Sequence, residues 1–115
     1  MPVILYHNPR CSKSRQTLEL LRSKGVEPAI VEYLKTPPDA AQLDDILNRL
    51  GIEPRALIRT TESIYREAGL DDPSLDRATL IAAMVANPAL IERPIVLANG
   101  KAAIGRPPEN VLSIL

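Results

Sequence analysis

Two apolar runs rich in strand formers, Val3-Ile4-Leu5-Tyr6 and Ile30-Val31-Glu32-Tyr33, flank a mixed stretch running from Ser12 to Lys24. Neither run alternates, which suits strands buried on both faces of a parallel sheet. In the stretch between them Leu18 and Leu21 share one helical face. Gly25 then stands where a helix closes, with Val26 placed to pack back on Leu21. Strand, helix and strand within about 30 residues predict a right-handed βαβ unit. The pattern next turns helical. Thr36-Pro37-Pro38-Asp39 signals a helix start, and Asp39 with Gln42 fits a capping box. Leu43, Ile46, Leu47 and Leu50 follow at i, i+3, i+4, i+7, and Gly51 ends the run. Shorter helical pieces at 54–59 and 63–68 precede a clearer helix at 76–86, stopped by Asn87-Pro88. The period then changes again. Pro94 to Ala98 and Lys101 to Ile104 flank Asn99-Gly100, a pair suited to the two positive φ values of a type I′ hairpin. Pro107-Pro108-Glu109 opens a last helix carrying Val111, Leu112 and Leu115.

The order β-α-β, helical insert, β-β-α predicts a thioredoxin-like α/β fold. Its mixed four-stranded sheet carries added helices between the two halves, in one domain over residues 1–115. Hydrophobic residues make up 45% of the chain and charged ones 24%, as in a soluble globular protein. Lys plus Arg equals Asp plus Glu at 14 each, so there is no net field to attract nucleic acid or an anionic membrane. Aromatics are 3%, all tyrosine, which leaves no stacking platform for single strands. No apolar stretch approaches the roughly 20 residues of a membrane span, and the first residues lack signal-peptide character. A single cysteine cannot form an internal disulfide and suits a reducing compartment, so the cytoplasm is the expected location.

That cysteine, Cys11, follows the first strand by a few residues and immediately precedes the first helix. A helix N-terminus carries about half a positive charge and orphan N–H groups, which favour a thiolate over a thiol. Asn8, Pro9 and Arg10 sit where a backbone nest would form, and Ser12, Ser14, Arg10, Lys13 and Arg15 add donors and positive charge. A lone cysteine at a strand end can also be a small core residue, but polar, basic surroundings favour the nucleophile. Ser14 occupies the place of the second cysteine in a Cys-x-x-Cys motif, so any redox cycle must borrow an external thiol such as glutathione, a glutaredoxin or thioredoxin. Farther along, Arg59, Arg93 before Pro94, and Arg106 before Pro107 stand out. Singly each reads as a surface arginine or an ion-pair partner. In a thioredoxin-like sheet the loop before the third strand carries a cis-proline facing the cysteine, and Pro94 at that place would aim Arg93 at Cys11. Guanidinium groups bind tetrahedral oxyanions in bidentate fashion and stay charged at every relevant pH. His7, the only histidine, could orient or deprotonate Cys11, or be structural. There is no metal-ligand spacing, Gly-rich nucleotide loop or Ser-His-Asp set.

Tyr6 to Arg15 (YHNPRCSKSR), Thr36-Pro37-Pro38, Arg93-Pro94-Ile95-Val96 and Gly105-Arg106-Pro107 resemble the glutaredoxin-dependent arsenate reductase family, essentially end to end. Ser12-Lys13 after the cysteine and the end at Leu115 look closer to its chromosomal branch. The resemblance implies a thioredoxin-like fold and reduction of arsenate to arsenite. It implies Cys11 as the catalytic thiolate and Arg59, Arg93 and Arg106 as oxyanion ligands. His7, Asn8, Ser14, Arg15 and Pro94 would support them. No bound cofactor is expected; glutathione would be co-substrate and glutaredoxin the partner. Two rivals stay open. One is a glutathione-linked thiol oxidoreductase using the arginines for glutathione carboxylates. The other is a non-enzymatic Spx-type regulator binding RNA polymerase, disfavoured because Cys11 and Ser14 cannot form its redox switch.

Overall fold

In a computed structural model that describes residues 2–115, the N-terminal apolar runs become β1 (Ile4–His7) and β2 (Ala29–Glu32), paired in parallel with Ile4 opposite Ala29. The helix between them is α1 (Ser12–Ser23). Its end is a Schellman closure: Gly25 N–H donates to the Arg22 carbonyl at 3.0 Å and Val26 N–H to the Leu21 carbonyl at 2.9 Å. β3 (Ile95–Ala98) runs antiparallel to β1, and β4 (Lys101–Ile104) antiparallel to β3. Asn99 and Gly100 turn that hairpin with φ of 53° and 74°, as the Asn-Gly pair predicts. The four-stranded order β2-β1-β3-β4, with α1 crossing between β1 and β2, is the thioredoxin-like arrangement expected from the element order.

The chain divides into two compact units, one made of the residues up to Thr36 with Arg93–Leu115, the other of Pro37–Glu92. The sheet belongs to the first. Its core joins Leu5, Val96, Ala98 and Ala103 of the strands to Leu21 of α1 and to Val111 and Ile114 of the C-terminal segment. That segment departs from the expected α-helix. Pro108–Ile114 is a 3₁₀-helix with Pro108, Val111 and Ile114 buried and Leu115 exposed. Burial every third residue is the period of a 3₁₀-helix, whose turn holds 3.0 residues. β2 departs too. It is one of the sheet's two edge strands, and Ile30 stays 42% exposed, so its apolar run is not buried on both faces.

The second unit holds α2 (Ala40–Leu50), α3 (Pro54–Leu57), α4 (Ser63–Glu67) and α5 (Arg77–Ala86), then a 3₁₀ turn at Pro88–Leu90. The capping box of α2 forms, with Gln42 N–H donating to Asp39 Oδ1 at 2.8 Å and Asp39 N–H to Gln42 Oε1 at 2.9 Å. Leu43, Ile46 and Leu47 of α2 are buried, as are Leu80, Ile81 and Met84 of α5, and these two helices pack together. No helix among the described residues is long and apolar enough to cross a membrane.

Candidate active site

Cys11 is the N-cap residue of α1, in extended backbone geometry and 8% exposed. The turn before it is braced from both sides. Cys11 N–H donates to the Asn8 carbonyl at 3.0 Å, and Arg10 N–H to Asn8 Oδ1 at 3.0 Å. From the helix, Arg15 Nη1 donates to the Pro9 carbonyl at 3.0 Å. Ser14 is fully buried, and its Oγ accepts from Asn8 N–H at 3.0 Å while sharing a 2.8 Å hydrogen bond with His7 Nδ1. One serine thus ties the end of β1, the loop and the first helical turn together.

The sulfur makes no capping hydrogen bond of ordinary geometry. The electrostatics around it nevertheless favour its charged form. Burial works to raise the thiol pKa, but the Ser14 amide, the Arg93 guanidinium, the Lys13 amide and the charge of Arg93 outweigh it and hold the thiol below its ordinary 9.0. Arg106 adds a direct contact, its Nη2 donating to Cys11 Sγ at 3.5 Å, while its Nε donates to the Arg93 carbonyl at 2.7 Å. Two arginines 13 residues apart are thereby locked to one another and to the sulfur. Both precede prolines through cis peptide bonds, Arg93-Pro94 and Arg106-Pro107. The first was anticipated at the position facing the cysteine; the second had no signal in the sequence.

The thiolate has a pH consequence. The folded protein gives up this proton more readily than the unfolded chain. It therefore contributes stability that is complete above pH 9.0 and is lost as pH falls through the lowered native pKa. The corresponding kinetic expectation is an iodoacetamide alkylation profile with its midpoint below 9.0. A profile like that of free cysteine would remove the thiolate. His7 shifts downward, first because it is buried, with Glu32 opposing and Arg22 and Arg15 assisting, so it stands as a neutral imidazole beside Ser14.

Gly105, part of the Gly105-Arg106-Pro107 motif, positions Arg106 through a close approach that the sequence alone does not signal. A Cβ there would lie 2.5 Å from Thr17 Oγ1 and 2.8 Å from Pro94 Cγ, and Gly105 N–H donates to the Pro94 carbonyl at 2.9 Å. The backbone carrying Arg106 can approach α1 this closely only without a side chain. Gly105→Ala is expected to cost about 1–3 kcal/mol by overpacking, lowering the thermal midpoint by several degrees and loosening the grip of Arg106 on the sulfur. An unchanged midpoint with unchanged thiol reactivity would contradict this close approach.

Arg59 lies in the second unit. It pairs with Glu62 at 3.3 Å and Glu92 at 3.7 Å, and its N–H donates to the Leu90 carbonyl at 2.7 Å. The first unit brings together Cys11, Arg93, Arg106, His7, Asn8, Ser14, Arg15 and Pro94. Chemically this is a thiol whose ionised form is favoured by guanidinium and amide donors, suited to attack on the central atom of an oxyanion whose oxygens those donors hold.

Residues 6–114 match the ArsC family. The chain belongs to the ArsC family. Over 114 residues this ArsC chain is 60% identical to Uncharacterized protein YfgD of Escherichia coli K12, covering 98% of this chain and 96% of that one. It is 53% identical over 117 residues to the arsenate reductase of Neisseria meningitidis serogroup A, each covered at 100%. Among solved structures, the arsenate reductase from Vibrio cholerae superposes with a TM-score of 0.97 at 50% identity, covering 100% of this chain and 98% of that one. The ArsC match begins at Tyr6, where the braced cysteine loop starts, and extends past both Arg-Pro loops.

Proposed function

We propose that this chain is a cytoplasmic arsenate reductase, with residues 1–115 working as one domain. One observation carries the reading: the sulfur of Cys11, seated at the head of α1, receives Arg106 Nη2 at 3.5 Å and lies in the field of Arg93. Relatives named arsenate reductase at 49–53% identity over the full chain support the choice of oxyanion.

In the proposed cycle the Cys11 thiolate attacks arsenic, forming a sulfur–arsenic bond. An arsenic–oxygen bond breaks, and the departing oxygen leaves as water once protonated. Arg93 and Arg106 hold the remaining oxygens and disperse their charge; on the family resemblance alone we assign Arg59 the same task. Two electrons then come from external thiols, because the chain has no second cysteine. Glutathione joins the adduct through its sulfur, displacing a second arsenic-bound oxygen as water, and a glutaredoxin thiol takes up that glutathionyl group as a mixed disulfide, leaving its electron pair on arsenic as As(III). Hydrolysis frees arsenite and restores Cys11. In sum, one arsenate and two thiols give one arsenite, one disulfide and one water. His7, Asn8, Ser14 and Arg15 act by fixing the loop and the Ser14 amide, and Pro94 by seating Arg93. A lone reactive thiol must stay reduced, which supports the cytoplasmic assignment.

The test is NADPH oxidation by purified protein with arsenate, glutathione, glutaredoxin and glutathione reductase. Turnover that requires arsenate, glutathione and glutaredoxin together is expected. Deglutathionylation of protein mixed disulfides without arsenate turnover would overturn the substrate and leave the thiol chemistry.

A further inference from the structure

The Asn8–Arg10 loop forms one wall of a cavity of about 350 Å³, closed by His7 at the end of β1 and by Glu32, Leu34 and Lys35 at the end of β2. Its volume lies near the lower end of the ~300–1,000 Å³ that small-molecule sites occupy. We propose that this cavity is the glutathione subsite, which places the co-substrate on the β2 side of the cysteine loop; the inference rests on the reductase reading above.

The charges and the position both point there. Arg10 and Lys35 supply two cations and Glu32 one anion, while His7 is neutral. Glutathione at neutral pH carries two carboxylates and one ammonium, the complementary set. Leu34 is 46% exposed on the wall and gives the tripeptide's methylenes an apolar surface. Lys35 Nζ stands 3.7 Å from Glu32 Oε1, with the two side chains 79% and 43% exposed. An exposed pair of this kind is worth only about 0–1 kcal/mol and gives way readily to a ligand's own charges. Arg10 is bonded directly to Cys11, so their Cα atoms are about 3.8 Å apart. The cavity wall is therefore continuous with the backbone that carries the nucleophile, on the side of the loop where a co-substrate would approach the adduct. The turn bond from Cys11 N–H to the Asn8 carbonyl makes this wall and the nucleophile one rigid piece.

Two measurements on the full chain test the subsite. In the first, S-methylglutathione, which cannot react, is titrated while backbone amide signals are followed by NMR. In the second, Lys35→Glu and Glu32→Gln are assayed for KM toward glutathione and toward arsenate, beside Lys101→Glu as a charge control at an exposed position of β4. Shifts clustered at Arg10, Leu34 and Lys35, with the glutathione KM raised about tenfold in Lys35→Glu and the arsenate KM unmoved, are expected. Lys101→Glu should leave both constants unchanged. Glutathione-dependent reduction with unaltered KM in both cavity variants, or shifts confined to residues 105–108, would overturn the subsite and leave the reductase reading intact. Shifts at the cavity without arsenate turnover would keep the subsite and overturn the reductase. Neither shifts nor turnover would remove both.

Discussion

Cys11→Ser is expected to abolish arsenate-dependent NADPH oxidation completely while leaving the protein folded, the serine cap on α1 offsetting part of the stability that the ionised thiol contributes. The two halves of this expectation come from the same geometry. Cys11 occupies the N-cap of α1, where serine is among the preferred residues and cysteine is not. Oxygen is smaller than sulfur, so no overpacking follows, and only one atom shrinks, so the gap left at this buried position is small. Chemically, however, a serine hydroxyl is not ionised by two amides and two guanidiniums, and the chain has no second cysteine to substitute for it. Removing an enzyme's nucleophile can reduce kcat by about 10⁶. The measurement is the coupled assay beside a thermal melt of both proteins. Activity above the arsenate-free background in a well-folded Cys11→Ser protein would transfer the nucleophile's role away from Cys11.

Much of the scaffold was legible because the relevant signals are local. The Asp39–Gln42 box, the Gly25 closure and the Asn99-Gly100 turn depend on residues a few positions apart, and each forms as its residue types require. The two misreadings concern burial set by distant partners. Ile30 belongs to an apolar run like that of Leu5, and only the sheet order, with β2 at the edge, exposes one and buries the other. At the C-terminus, Val111 and Ile114 are buried together because the segment follows a three-residue period, which a short apolar stretch shares with an α-helical reading.

The site divides along the same line. Cys11 at a helix start and Ser14 within its first turn are short-range features, and a helix N-terminus states the chemistry they permit. Arg93 and Arg106 were conspicuous only once a thioredoxin-like sheet had been assumed, since nothing in their spacing places them at the sulfur. The Nε bond from Arg106 to the Arg93 carbonyl is invisible to any pattern, because it depends on the hairpin folding back and on the space left at Gly105.

The second large effect is expected at that arginine pair, and the choice of replacement separates its two roles. Arg93→Ala and Arg106→Ala should each lower kcat/KM for arsenate by about 10²–10³, the usual loss when one donor to a developing oxyanion is removed. Both should also raise the Cys11 pKa. Arg93→Ala should raise it clearly, because Arg93 acts on the thiol through both a hydrogen bond and its charge. Arg106→Ala removes the 3.5 Å contact to the sulfur and also frees the Arg93 carbonyl, so its loss loosens its neighbour as well. Arg106 is exposed and Arg93 half-buried, so the melting temperatures should move far less than the activities. The lysine variants then discriminate. Lysine keeps the charge but not the planar fork of donors, so Arg93→Lys should recover most of the alkylation profile and little of the arsenate kcat/KM. Recovery of both by lysine would make the pair a simple source of positive field, and bidentate grip on the oxyanion would have to be given up. Wild-type arsenate kinetics in both alanine variants would remove the pair from the substrate altogether.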